Sequence, residues 1–288
     1  MNHVLKSKSM SHFLDTHYHI FHDCVFCQNI KSNPSIELAS LGISVANLRA
    51  STQSALLDDR SPQNLLSIRS LIQQCKELDT RLTFWHNNLP VISKACSIPA
   101  ADLHRVSSAP HLLGPNLREA YLYRNLHTAE LHCRYYTLRA MVLSVILRCN
   151  ASLNQSDLWL SLNASQDHAS TSETQNSLLN VFQSIYSSAP FFLGITPPSL
   201  PPNPAIYQVS PLGPIQLVNP LYVARSVFFA PLEQRVWIDT TLRLIRHNFD
   251  VEIPGMIAAS NDFRPLFPKE GEWDRSKIYG TTRDWFTG

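Results

Sequence analysis

Six potential metal ligands, His12, His17, His19, His22, Cys24 and Cys27, crowd into one short stretch near the start of the sequence. Cys24-Val25-Phe26-Cys27 has the spacing with which two thiolates grip tetrahedral zinc, and His19 and His22 are the nearest imidazoles to complete a set. A closed zinc site needs four ligands, and a second cysteine pair at matching spacing would make the signal strong. The next cysteine is Cys75. The cluster therefore reads as a polar leader in which Cys24, Cys27, His19 and His22 are only weak metal candidates, and no tightly held zinc is expected.

The rest of the chain offers no reaction centre. It has eight glycines and none of the G-x-x-x-x-G-K-[ST], G-x-G-x-x-G or G-x-S-x-G patterns that cradle phosphates or expose a nucleophile. Arg134, Arg139 and Arg148 fall in one apolar run, where they suit either an anion or, more simply, solvated edges and ion pairs. His247 lies where a helix ends and its charge complements the dipole there. Cys75, Cys96, Cys133 and Cys149 are widely scattered and read as small buried hydrophobes of a reducing compartment. Neither catalytic residues nor a cofactor is expected.

Composition narrows the class further. With 24 basic and 22 acidic residues in 288, the net charge is +2, and no basic stripe announces nucleic acid. The apolar share of 44% is ordinary for a globular protein. The first residues lack the continuous apolar segment of a signal peptide, and no window approaches a membrane span. The expectation is a soluble intracellular protein. Three N-glycosylation sequons, at Asn150, Asn154 and Asn163, then reduce to a polar loop.

Hydrophobic spacing supplies the elements. Residues 1–62 have weak periodicity and read as a mostly irregular leader, with a short helix near Ile36–Leu48. Leu65, Ile68, Ile72, Cys75, Leu78, Leu82, Trp85 and Leu89 then recur in steps of three and four, an amphipathic helix that Pro90 stops. The Ser/Pro-rich piece from Val91 to Pro115 reads as connection. From Leu122 to Leu147 a second stripe is joined by Leu131, Tyr135, Leu138, Val142, Val145 and Ile146, so that helix is apolar around most of its circumference and belongs at the centre. Residues 150–177 read as a flexible polar loop, and Leu178–Ala189 as a helix ended by Pro190. The segment "NPLYVARSVFFAPLEQRVWIDTTLRLI" reads as helix, hinge at Pro231, helix, with Leu232, Val236 and Leu244 on one line and Trp237, Ile238 and Ile245 one step round. Tight-turned β alternation is absent. The fold class is all-α: an irregular helical domain of antiparallel-packed amphipathic helices over residues 63–262, with Pro/Ser-rich connections. Residues 263–288 form an aromatic and charged tail that packs back on it.

Four blocks in this order resemble the C-terminal regulatory region of fungal zinc-cluster transcription factors. They are "LIQQCKELDTRLTFWHNNLP", "YLYRNLHTAELHCRYYTLRAMVLSVILRC", "SIYSSAPFFLG" and "NPLYVARSVFFAPLEQRVWIDTTLRLIRHNF". Together they cover roughly Leu65 to Ala259. The resemblance implies an all-helical regulatory module that contacts other proteins, of a kind that often governs secondary-metabolite gene clusters in filamentous fungi. Family members also carry a six-cysteine cluster holding two zinc ions. Here Cys24 and Cys27 are the only close pair, so sequence-specific DNA binding by this chain is not expected.

The sequence thus leads to a nuclear, transcription-regulator-like protein that works through partner regulators, without membrane attachment. A helical scaffold with no transcriptional role and an unrecognised pathway enzyme are the alternatives.

Overall fold

The computed structural model describes residues 33–57, 61–104, 113–154, 157–195, 212–225 and 231–249. The leader's Cys24, Cys27, His19 and His22 lie outside these residues, as do the tail from 263 onward and residues 226–230 before the hinge at Pro231. The described helices belong to one compact unit, Pro34–Phe267.

The molecule is all-α. Seven helices, α1 (Pro34–Leu57), α2 (Pro62–Asn87), α3 (Ala100–His104), α4 (Leu126–Asn154), α5 (Asp157–Phe192), α6 (Leu212–Arg225) and α7 (Leu232–Phe249), carry the described fold. A single antiparallel ribbon of β1 (Cys96–Pro99) and β2 (Glu119–Leu122) joins them, with Cys96 opposite Leu122 and Pro99 opposite Glu119. No described helix is long and apolar enough to cross a membrane.

Local chemistry explains most boundaries. Ser61 caps α2 by accepting from Asn64 N at 3.2 Å, and Pro62 stands in the first turn, where an N–H would lack a partner. At its other end Asn88 Nδ2 donates to Phe84 O at 2.8 Å, two residues before Pro90. Helix α4 starts later than its apolar stripe. Asn125 accepts from both Thr128 N (2.8 Å) and Thr128 Oγ1 (2.9 Å), so Leu122 is left to the ribbon. Four-residue strands are too short for a period-2 signal to stand out in the sequence, and β1 is mostly exposed.

Four readings need correction. The supposed leader contains the full helix α1, whose Leu38, Leu41, Val45 and Leu48 are buried in the common core. Its solvent side also carries Ile36 and Ile43, and that blurs the amphipathic contrast. The polar stretch 150–177 is helical from Asp157, since Ser, Asn and Thr weaken a helix by only tenths of a kcal/mol each and tertiary packing overrides them. Pro190 lies inside α5, two residues before its end, so the backbone bond that its missing N–H gives up falls in the last turn and the helix stops shortly after it. The helix closes at Gly194 (φ 74°), whose N–H donates to Phe191 O (3.1 Å) while Ile195 N–H donates to Pro190 O (2.9 Å). On α7 it is Trp237, Ile238, Leu242 and Ile245 that face inward, and Leu232 and Val236 are exposed.

Helix directions follow from side-chain bonds. Trp85 Nε1 donates to Pro34 O at 3.1 Å and Asn64 Nδ2 to Ala55 O at 3.0 Å, so α1 and α2 form an antiparallel hairpin. His86 meets His132 and Arg139 meets Asp79, which makes α2 and α4 antiparallel as well. Consequently α1 runs parallel to α4: Ser35 reaches His127 near one end and Arg49 reaches Met141 further along. Helix α5 returns against α4, with Asn150 opposite Thr171, Tyr136 opposite Ser184 and Cys133 opposite Ser188. Helix α4 is therefore surrounded, as its apolar circumference requires. Cys133, Leu143, Leu147, Trp85 and Trp237 share one core, with Leu126 packed at its margin.

One close approach yields a test. A Cβ on Gly114 would stand 1.9 Å from Tyr186 Oη, and that hydroxyl donates to Pro115 O (2.6 Å) while its ring meets Trp237 edge-on at 4.8 Å. Gly114→Ala must expel the ring, and overpacking of this kind costs about 1–3 kcal/mol. Urea unfolding should show a correspondingly lower midpoint; an unchanged one would mean that Tyr186 does not fill this space.

Candidate functional site: a histidine–tyrosine seam

The largest concentration of chemically capable side chains among the described residues lies between α2, α4 and α5. His86 and Trp85 come from the last turn of α2, His132, Cys133, Tyr135 and Tyr136 from α4, Tyr123 from the end of the ribbon and Ser188 from α5. The helical repeat brings His132, Tyr135 and Tyr136 to one side of α4.

The hydrogen bonds fix the protons. His132 Nε2 lies 2.7 Å from the carbonyl oxygen of Ser93, which can only accept, so the N–H is on Nε2. In the neutral ring Nδ1 is then an acceptor, and it receives the Nε2–H of His86 at 3.2 Å. Both imidazoles are held uncharged. Burial pushes His86 down to about 4, with further repulsion from His132, Arg139 and Lys94, and burial also lowers His132. The His86 ring stacks on Tyr135 at 4.3 Å between centroids and nearly parallel, while His132 stands edge-on to it. Ser93 ends a short 3₁₀ turn, Val91–Ser93, so this pair pins the chain leaving α2 onto α4.

A second line of bonds continues into α5. Ser188 Oγ donates to Ser184 O at 2.7 Å, so at the 2.7 Å contact between Tyr123 and Ser188 the phenol is the donor. Tyr123 is buried, and its phenol is raised well above the usual range by desolvation. Burial pushes the Cys133 thiol up to about 12, and Cys75 and Cys149 likewise. These thiols stay protonated at neutral pH, and it is the thiolate that attacks or binds metal. The seam therefore holds neutral imidazoles, neutral phenols and inert thiols bonded to one another: chemistry suited to fixing helices rather than activating a nucleophile.

The arginines singled out by sequence take different places. Arg134 is exposed and pairs with Glu130 one turn back. Arg139 is half-buried in a two-pronged pair with Asp79, Nε to Oδ1 at 2.7 Å and Nη2 to Oδ2 at 3.3 Å. Arg139→Ala leaves Asp79 half-buried without its partner. It should cost about 1–3 kcal/mol, read as a drop in urea midpoint that Arg134→Ala does not produce. Arg148 is half-buried and belongs to neither group. His247 occupies the last turn of α7 and is exposed. Of the cysteines read as buried, Cys75, Cys133 and Cys149 are so; Cys96, on the outer strand, is exposed. Among the described residues no group of three or more His, Cys, Asp or Glu side chains could hold a metal ion. The Arg225–Asp239 pair, which ties α6 to α7, was not marked by any local spacing.

Beyond the seam, α1 and α2 border a shallow cleft of about 280 Å³ lined by Glu37, Ser40, Leu41, Thr80, Arg81 and Phe84. Phe84 is 66% exposed, and Val91 and Ile92 in the next turn are 85% and 59% exposed.

The fold and the seam together define a class, an all-helical domain knit by buried polar bonds around one central helix. Comparison of the chain with protein-family models, with curated proteins and with solved structures finds no match.

Proposed function

We propose that this is a transcription-regulator-like protein that acts through protein partners rather than through its own DNA-binding element. The observation that carries this reading is where the four family-like blocks fall. Each falls on a separate element or pair, and residues of successive blocks meet one another. His86 of the first bonds His132 of the second, Cys133 of the second meets Ser188 of the third, and Tyr186 of the third packs on Trp237 of the fourth. Leucine stripes recur in any helical protein, whereas polar and aromatic junctions between successive blocks are a more specific feature of this chain.

Two further features favour a partner-binding role. The chemistry of the seam is inert, and Phe84, which lines the α1/α2 cleft, and Val91 and Ile92 in the following turn present large apolar side chains to solvent. Exposed apolar groups of this size suit a protein contact. The basic side chains Arg134, Arg139 and Arg225 are matched by carboxylates, so they offer no phosphate-binding stripe.

The full chain fused to a heterologous DNA-binding domain should change reporter transcription several-fold in a fungal host, and Phe84→Asp with Val91→Asp should abolish that change while leaving the fold intact. A fusion with no effect on the reporter would favour a scaffold without transcriptional role. In gel-shift titrations at about 0.15 M salt, the unfused chain is expected to give at most a weak, salt-sensitive association, and a tight complex that survives excess competitor DNA would overturn this.

A further inference from the structure

We propose that Arg49 and Arg148 bind a doubly charged oxyanion, of the phosphate or dicarboxylate class, between the C-terminal halves of α1 and α4. Arg49 is half-buried, and its one hydrogen bond to a described residue is from Nη1 to the thioether of Met141 at 3.4 Å, a weak acceptor for a full charge. Arg148 follows Met141 by two helical turns, on the same side of α4, and it is also half-buried. It has no hydrogen bond or ion pair with any described residue. Because α1 and α4 run parallel, the two arginines share one end of the helix pair, and their like charges repel.

Nothing on these helices offsets them. The acidic residues of α1 and α4 are Glu37 and Glu130, both near the opposite ends, and Glu130 is already paired with Arg134. The helix dipole is no substitute. Arg49 stands about two turns before the end of α1 and Arg148 nearly as far before the end of α4, whereas the dipole's pull fades within the last turn. Burial accordingly lowers both guanidinium groups from their usual range, since each charge loses water without gaining a carboxylate among the described residues. A guanidinium fork matches phosphate and carboxylate oxygens two at a time, and a pair of forks suits a divalent anion. Nearby polar groups are occupied: Thr52 Oγ1 donates to Leu48 O, and Asn150 Nδ2 to Thr171 Oγ1.

The test is thermal unfolding of the full chain titrated with inorganic phosphate, and separately with succinate, against chloride at equal ionic strength. Phosphate also stabilises proteins non-specifically, so the comparison with variants is decisive. One of the two anions should raise the melting temperature in a saturable way. Arg49→Gln and Arg148→Gln should each weaken its apparent affinity roughly tenfold or more, as expected for a lost charge-assisted contact, with Arg134→Gln as an unaffected control. Without anion, the Arg148→Gln protein should melt no lower than the parent, because a repulsion has been removed. Equal anion shifts in parent and variants would overturn the proposal. So would a low-melting Arg148→Gln chain whose parent responds to neither anion, since the guanidinium would then be held by the protein's own groups. Where a variant fails to fold, a parent that responds to neither anion still overturns the proposal.

Discussion

Leu143→Asp is expected to leave the protein largely unfolded at ambient temperature. Leu143 is 3% exposed on the central helix, in a core shared with Cys133, Leu147, Trp85 and Trp237. An aspartate there must either bury an unpaired charge or take up a proton, and both cost several kcal/mol. Domains of this size are stable by only about 5–15 kcal/mol. Circular dichroism should show lost helicity and no cooperative thermal transition. The gentler Leu143→Ala, which removes buried methyl groups and leaves a cavity, should cost about 2–5 kcal/mol and still fold. A Leu143→Asp protein melting with the parent would mean that α4 is not the centre of the core.

The second large effect is acid sensitivity originating in the histidine seam. In the folded state His86 and His132 resist protonation, His86 down to about 4, chiefly because burial disfavours the charged ring. In the unfolded chain both titrate near their ordinary value of about 6.5. Between these limits the unfolded state binds more protons, so stability rises with pH. The contribution is complete above about 6.5 and is lost as pH falls toward the folded-state value. Each histidine adds a slope of at most about 1.4 kcal/mol per pH unit, less for rings that keep some solvent contact. Urea unfolding at pH 7.5 and 5 should expose the loss, and His86→Phe, which keeps a ring against Tyr135 but cannot ionise, should flatten the dependence. An equally steep slope in that variant would assign the acid sensitivity to other groups. Acid protonates His132 at Nδ1 and so removes the acceptor for the His86 Nε2–H, whereas the Nε2–H that holds Ser93 is retained.

The central placement of α4 was legible because burial on all sides leaves a direct mark on sequence: an aliphatic or aromatic residue at nearly every angle around the helix. The amphipathic face of α2 and its stop near Pro90 were legible for the same local reason. The faces of α7 were less so. Leu232 and Val236 continue an apolar line, yet helix spacing fits two overlapping lines equally well, and only the direction from which α5 and α6 approach selects the Trp237 line. Helix α1 was underread because its apolar residues surround it, and α5 because its polar first half gives periodicity nothing to detect.

What the sequence by itself determined is the set of helices with strong one-sided or all-round apolar spacing, and with it the all-α class. Those properties depend on residues within a few turns of one another. Tertiary structure alone decided which histidine meets which carbonyl, that α1 lies parallel to α4, and that Arg139 finds Asp79 sixty positions away while Arg148 finds no carboxylate among the described residues. Such pairings join groups distant in the chain, and the hydrogen bonds that fix them form only once packing has brought the partners to within about 3 Å.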